Sequence, residues 1–223
     1  MTGNVAGVLL AAGRSTRMGN PKQLLHLQGK PLVRHAAEAM HAAPYTERLA
    51  VIPPAELGEQ VRDALTGLNF TFTENPDPAR GLMSSFRQAA RALSGRDLLG
   101  VNFVLADMPL LTPDVHRVMI ETFLNSGVPG EPSVSHVSAR PTHAPLVLSE
   151  YGTSSEDVVR APPHLFRADL LTHFPELPDT DHGPRALVLG RRHVSPEDLQ
   201  ALWVPCVAHR LHTLHQRGRS ISQ

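Results

Sequence analysis

Apolar residues in this chain form two patterns, short unbroken runs and stripes of helical spacing, and the two alternate up to about Leu124. Val5 to Ala11 is an apolar run without alternation, stopped by Gly13, and reads as a strand buried on both faces. Residues 14–30 look irregular. Pro31 stands at a first helical position, and Leu32, Ala36, Ala39, Met40 and Ala43 then recur at helical spacing until Pro44. Leu49 to Ile52, closed by Pro53-Pro54, predicts a second strand, and Ala55 to Leu65 a helix with Leu57, Val61 and Leu65 inward. Strict alternation in Asn69-Phe70-Thr71-Phe72-Thr73 predicts a third strand. After a loop from Glu74 to Gly81, the stripe Met83, Phe86, Ala90 and Leu93 marks another helix. Val101 to Ala106 is again a buried strand, ending in Asp107-Met108-Pro109. Thr112-Pro113 is a cap followed by a helix-starting proline, with Val115, Val118, Met119 and Thr122 along that helix.

This alternation predicts an α/β fold, a Rossmann-like three-layer sandwich with a mostly parallel sheet and helices on both faces. Neither a repeat nor a heptad run is visible. From Asn125 to Ala161 the pattern weakens, leaving Pro145 to Leu148 as the clear strand candidate and Ser149 to Arg160 as an exposed excursion. Pro163 to Leu171 predicts a helix, order returns at Ala186 to Leu189, and Ser195-Pro196-Glu197-Asp198 starts a further helix. Arg217 to Gln223 reads as a disordered end. The expected organisation is one domain over residues 1–205, with 140–163 as an inserted loop and 206–223 as a His/Arg-rich tail.

The length of 223 residues allows a substantial core without metals or disulfides. The 21 basic and 21 acidic side chains cancel, so no overall field points to nucleic acid or an anionic membrane, and any basic site must be local. The single cysteine, Cys206, excludes an internal disulfide and a zinc finger and fits a reducing compartment. Met1-Thr2-Gly3-Asn4 lacks a basic leader region, and the apolar run after it is too short for a signal peptide or a span. A cytoplasmic protein with neither nucleic-acid nor membrane partners is the expectation.

Candidate chemistry concentrates between Leu9 and Gln23. In parallel α/β sheets ligands collect at the carboxyl ends of strands, where loop amides and helix starts offer donors to phosphate. Small residues at Ala11, Ala12 and Gly13 let a ligand approach the backbone, and Arg14, Arg17 and Lys22 supply charge for a polyphosphate. The glycine spacings of the Walker loop and of the dinucleotide fingerprint are absent. By residue type alone, a turn with solvated basic side chains stands as the alternative.

Leu10 to Gly19, followed by Pro21-Lys22-Gln23-Leu24-Leu25, closely resembles the signature of the sugar- and cofactor-nucleotidyltransferases, most of all the molybdenum cofactor cytidylyltransferase family. Asn75-Pro76 with Gly81-Leu82-Met83-Ser84-Ser85 resembles that family's base-recognition loop, and Asp107-Met108-Pro109-Leu110 its metal-binding turn. Asp181-His182-Gly183-Pro184-Arg185 is similar to its Gly-Asp-x-Gly-Ala-Arg segment, with Thr180 and Pro184 as departures. The resemblance spans residues 5–190. It implies transfer of CMP from CTP to the phosphate of molybdopterin or its metal-loaded form, with release of pyrophosphate. Arg17 and Lys22 would be catalytic; Leu10, Ala11, Ala12, Gly13, Arg14, Ser15, Asn75, Gly81, Ser84 and Ser85 would bind the nucleotide; Asp181 and Arg185 would face the acceptor. Asp107 would hold Mg²⁺, or Mn²⁺, between triphosphate oxygens; as a bare residue it can equally be a turn or helix-capping aspartate.

Two departures stand out. Family members commonly end in an Asp-x-Asp-Thr-Pro-Glu-Asp segment whose second aspartate is a further metal ligand. The nearest counterpart here, after Val204-Pro205, is His212-Thr213-Leu214-His215, which puts His215 in the aspartate's place. Imidazole suits Mn²⁺ or Zn²⁺ better than Mg²⁺, and His209, His212 and His215 also read as a polar tail. The family's Gly-His-Pro segment has two counterparts, Ala161 to Phe166 and His143-Ala144-Pro145, which leaves the acceptor wall open. The rival readings are a guanylyltransferase, whose opening motif usually reads Leu-Ala-Gly-Gly, another cytidylyltransferase of the fold, and a weakened relative that binds nucleotide or pterin. The expected partners are CTP or another nucleoside triphosphate, a phosphorylated pterin, and a docking molybdoenzyme or its maturation factor.

Overall fold

The computed structural model describes residues 3–13, 21–126, 146–151, 159–181 and 183–184. Strand β1 (Val5–Leu10) leads through a 3-10 turn, Lys22–Leu24, and a short hairpin, β2 (His26–Leu27) and β3 (Lys30–Pro31), into α1 (Leu32–His41). In alternation follow β4 (Glu47–Ile52), α2 (Ala55–Ala64), β5 (Thr71–Glu74), α3 (Leu82–Ala92), β6 (Gly100–Leu105) and α4 (Pro113–Asn125). Strands β7 (Leu146–Tyr151) and β8 (Val159–Arg167) and a 3-10 stretch, Ala168–Glu176, complete the described elements. Six strands form one sheet in the order β5-β4-β1-β6-β8-β7. The first four are parallel, with Leu9 registered to Ala50 on one side and Val104 on the other; β8 and β7 add antiparallel pairs. This is the expected mostly parallel three-layer sandwich.

Side chains alternate across a strand, so an element covered on both faces must be apolar at every position. In β1, Val5 and Leu9 join a core with α1, α2 and α4, whereas Ala6, Val8 and Leu10 join a second core under α3 and the last 3-10 stretch. All six β1 residues are buried. In the second core Phe86 stacks on Phe103 at 4.4 Å, and Phe166 and Phe174 meet both rings mostly edge-on, joining α3, β6, β8 and the 3-10 stretch. Each such ring contributes about 1.5–3 kcal/mol through burial.

A polar cluster sits within the first core. Asn102 Nδ2 donates to the Tyr45 hydroxyl at 2.7 Å, and that hydroxyl shares a second hydrogen bond of 2.9 Å with His116 Nδ1. His116 is fully buried and its Nε2 has no partner. Burial alone pushes its pKa from 6.5 down to about 4, which keeps the ring neutral.

Four expectations need correction. The 14–30 region is not irregular throughout, because β2 and β3 pair as an antiparallel hairpin. Its turn places Gln28 (φ 52°) and Gly29 (φ 79°) in the left-handed region, as a two-residue hairpin requires. Ser149 to Arg160 is not wholly an exposed excursion: Ser149 lies buried in β7, and Val159 and Arg160 belong to β8. Pro163 to Leu171, in turn, is no helix but the end of β8 followed by 3-10 turns. His164, Leu165 and Phe166 pair with β6 on one side and β7 on the other, and all three are buried. Pro162 and Pro163, lacking N–H donors, fall where the β7–β8 register shifts between Leu148 and Glu150. Helix α1 also starts one residue after Pro31. The elements expected at Ala186 to Leu189 and from Ser195, and the 206–223 tail with Cys206, lie outside the described residues.

Candidate active site

From β1 the chain turns to β4 on one side and later to β6 on the other, and a sheet that reverses direction in this way opens a crevice at its carboxyl ends. The ladder runs one residue past the strands: Ala11 N donates to Val51 O at 2.8 Å and Ala106 N to Leu10 O at 3.1 Å. Beyond these bonds lies a cleft of about 610 Å³. Leu10 to Gly13 and Leu105 to Asp107 line it from the strand ends, Gly81, Leu82 and Ser85 from the start of α3, and Lys22, Gln23, Pro78, Ala79 and Asp181 complete it.

The first loop is held from beneath by a residue to which the sequence assigned no role. Gln23 is 3% exposed, and its Nε2 donates to the carbonyls of Ala11 (3.2 Å) and Gly13 (3.0 Å). Its side chain fixes the course of the backbone at the point where β1 ends. Lys22, one residue earlier, brings a cation to the cleft lining. Arg14, Ser15 and Arg17 lie outside the described residues, as do Arg185 and His215.

The candidate base-recognition residues divide into two sets. Asn75 is 1% exposed and donates through Nδ2 to Ser84 Oγ (2.7 Å) and Ser85 Oγ (3.0 Å), while its Oδ1 accepts from Asp77 N (3.2 Å). Ser84 Oγ also donates to the Gly81 carbonyl at 2.7 Å, so its one proton is committed within the protein. Ser85 lines the cleft; Asn75 and Ser84 do not. The geometry makes Asn75 and Ser84 the internal brace of the Gly81–Ser85 corner.

Two carboxyl side chains reach the cleft, Asp107 just past β6 and Asp181 beside Gly81. Gly81 has φ +81°, and a Cβ on it would stand 2.8 Å from Asp181 Oδ1 and from the Thr180 carbonyl oxygen. Among the described residues no group of three His, Cys, Asp or Glu side chains gathers. Mg²⁺ and Mn²⁺ are hard cations that fill their shells with one or two carboxylates, water and phosphate oxygens, so Asp107 and Asp181 suit a nucleotide-borne ion. Of the two Gly-His-Pro counterparts, Ala161 to Phe166 belongs to β8, with His164 buried and Nδ1 on the Pro163 carbonyl at 3.0 Å, away from the cleft lining. His143 lies outside the described residues. No described helix is long and apolar enough to cross a membrane.

Comparison with known proteins follows the same geometry. Residues 7–196 match the family described as the MobA-like NTP transferase domain, and residues 185–222, outside the described residues, match the AAA lid domain. The chain is 33% identical over 120 residues to a Natronomonas pharaonis protein named "Probable molybdenum cofactor guanylyltransferase", covering 53% of this chain and 57% of that one. A Thermococcus kodakarensis protein of the same name is 32% identical over 141 residues, 62% of this chain and 64% of its own. The bifunctional protein GlmU of Rhodospirillum rubrum is 34% identical over 139 residues, which span 61% of this chain and 29% of GlmU. The chain thus spans less than two thirds of the length of these curated relatives. Among solved structures, Rv0371c from Mycobacterium tuberculosis H37Rv superposes with a TM-score of 0.64 at 22% identity over 86% of each chain. A nucleotidyl transferase from Methanothermobacter thermautotroptrophicus superposes with a TM-score of 0.58 at 20% identity, covering 97% of this chain and 96% of that one. These two share the fold. With the family match running through every described strand and around the cleft, the chain belongs to the MobA-like NTP transferase domain family.

Proposed function

We propose that this chain transfers CMP from CTP to the phosphate of a molybdopterin-type acceptor and releases pyrophosphate. The observation that carries the reading is the gathering of the Ala11-Ala12-Gly13 loop, Lys22, Ser85 and Asp107 around one cleft at the strand ends. In this reaction an acceptor phosphate oxygen bonds to the α-phosphorus while the bond from that phosphorus to the β-bridging oxygen breaks. A phosphomonoester is largely dianionic at neutral pH, its second pKa lying near 6, so neither a protein nucleophile nor a strong base is needed. The protein's task is alignment and positive charge. Residues 11–13 cradle the triphosphate, Lys22 and Arg17 balance the charge growing on the departing pyrophosphate, and Ser85 meets the base. Asp107 and Asp181 would hold Mg²⁺ or Mn²⁺, which when bound supplies further charge at the phosphate oxygens. A manganese complex is known for the structural neighbour Rv0371c.

GTP is the competing donor, and the names of the two archaeal relatives favour it. Ala12 favours CTP, because it stands on the cleft lining at the position where guanylyltransferases usually carry glycine. Pyrophosphate release measured with CTP, GTP, ATP and UTP, each with Mg²⁺ and a molybdopterin acceptor, decides. Turnover confined to CTP is expected. Turnover with GTP alone moves the chain to the guanylyltransferases, and turnover with methylerythritol phosphate but not a pterin overturns the acceptor assignment.

A further inference from the structure

The residues after the last 3-10 stretch cross the start of α3 and are gripped by it. Arg87 donates through Nη1 to Asp179 Oδ1 and through Nη2 to the Leu177 carbonyl. Arg80 Nε takes the other Asp179 oxygen at 2.9 Å. Met83 N, a first-turn amide without an acceptor inside its own helix, donates to the Thr180 carbonyl at 3.0 Å. The Thr180 hydroxyl donates to the Gly183 carbonyl at 3.1 Å. Gly183 lies so close to Phe86 that a Cβ there would stand 2.9 Å from the ring. The segment is thus tied to α3 on both sides of Asp181, whose own carboxyl group has no hydrogen bond or ion pair among the described residues.

Among the described residues little else holds this strap. It brings one partly buried apolar side chain, Leu177, to the second core, and Pro178, Asp179 and Asp181 are exposed. Such a segment has a low local opening energy unless polar bonds retain it. Arg87 is the strong partner, because its side chain is only 10% exposed and charge-assisted bonds from a shielded guanidinium exceed those at open surface. Asp179 itself stays outside the cleft lining, whereas Asp181, two residues on, belongs to it.

We infer that Asp179 is a positioning residue for the cleft: gripped by Arg87 and Arg80, it fastens the 177–181 strap to α3 and so presents Asp181 to the divalent cation of the bound nucleotide. This rests on the nucleotidyltransferase reading above. Asp179 acts through Asp181, and the two therefore share one energetic contribution rather than two.

The test uses the whole protein with Asp179→Asn, Asp181→Asn, the double variant and Asp179→Glu. Three quantities are read: Mn²⁺ affinity in the presence of CTP and of GTP, by the electron paramagnetic resonance of free Mn²⁺; amide exchange at Met83; and the melting temperature. Asp179→Asn is expected to speed exchange at Met83 and to weaken Mn²⁺·nucleotide binding by about tenfold, the scale of a lost partner behind a metal ligand. Adding Asp181→Asn to it should cost nothing further, and Asp179→Glu should recover part of the affinity. A wild type that binds Mn²⁺·nucleotide beside an Asp179→Asn variant within about twofold of it overturns the inference alone. Additive losses in the double variant do the same. A wild type that binds neither Mn²⁺·CTP nor Mn²⁺·GTP overturns the nucleotidyltransferase reading and the inference together.

Discussion

Replacing Gly81 by alanine tests how the strap and α3 fit together. Gly81 has φ +81° and ψ −179°, a combination nearly restricted to glycine that costs another residue roughly 1–3 kcal/mol. The added methyl would also stand 2.8 Å from Asp181 Oδ1 and 2.8 Å from the Thr180 carbonyl oxygen. The carboxyl group can swing away, but the carbonyl is backbone and moves only with the strap. Moving it gives up the bond from Met83 N, worth about 1 kcal/mol net. The sum is roughly 2–4 kcal/mol, and at roughly 2–4 °C per kcal/mol for a domain of this size the melting temperature falls by about 4–16 °C. Urea denaturation and calorimetry of the whole protein read both quantities, with faster exchange at Met83 as the local signature. A Gly81→Ala variant within about 0.5 kcal/mol of wild type, the range of an ordinary surface substitution, would refute the reasoning.

Gly13→Ala is the contrasting case: among the described residues a Cβ there meets nothing within 4 Å, so the melting temperature should hold while calorimetric titration shows weaker nucleotide binding. Gln23→Leu strands the Ala11 and Gly13 carbonyls and should cost about 1–3 kcal/mol in urea denaturation, with a raised KM for the nucleotide. His116 gives a pH signature of known sign. Because burial lowers its folded pKa to about 4 from 6.5, the unfolded chain takes up the proton first as pH falls. Its contribution is complete above pH 6.5 and is lost between 6.5 and 4, by up to about 3 kcal/mol. Urea denaturation at pH 7 and 4.5 should show this loss in wild type and a smaller one in His116→Gln; parallel losses would count against it.

Strands β1 and β4 were legible because burial leaves unbroken apolar runs bounded by glycine or proline, and β6 because no more than a single buried polar residue, Asn102, interrupts its run. The β7–β8 hairpin was not. Ser149 is a polar residue in a fully buried position, and Pro162-Pro163 falls at a register shift that a reading of local propensity takes for a break. The β2–β3 hairpin escaped for a similar reason, since Gln28 supplies a positive φ usually left to asparagine or glycine. At the site, Leu10 to Gly13 and Lys22 could be read from a strand end and its basic loop, whereas Gly81, Ser85 and Asp107 were picked out by the family resemblance. The parts that hold it could not. Gln23 bonds carbonyls 10 and 12 residues away, and Arg87 reaches Asp179 across 92 residues, distances over which residue spacing carries no signal. Asn75 and Ser84 were expected to bind the nucleotide, whereas their hydrogen bonds show that they brace the corner from inside, away from the cleft lining.

If the cleft at the carboxyl ends of β1 and β6 receives a nucleoside triphosphate with its divalent cation, the anomalous scattering of Mn²⁺ in crystals of the protein grown with CTP shows it most directly. A manganese peak is expected, bonded to Asp107 and to triphosphate oxygens, with the triphosphate along residues 11–13. A nucleotide seated elsewhere, or manganese bound without Asp107, would contradict this placement.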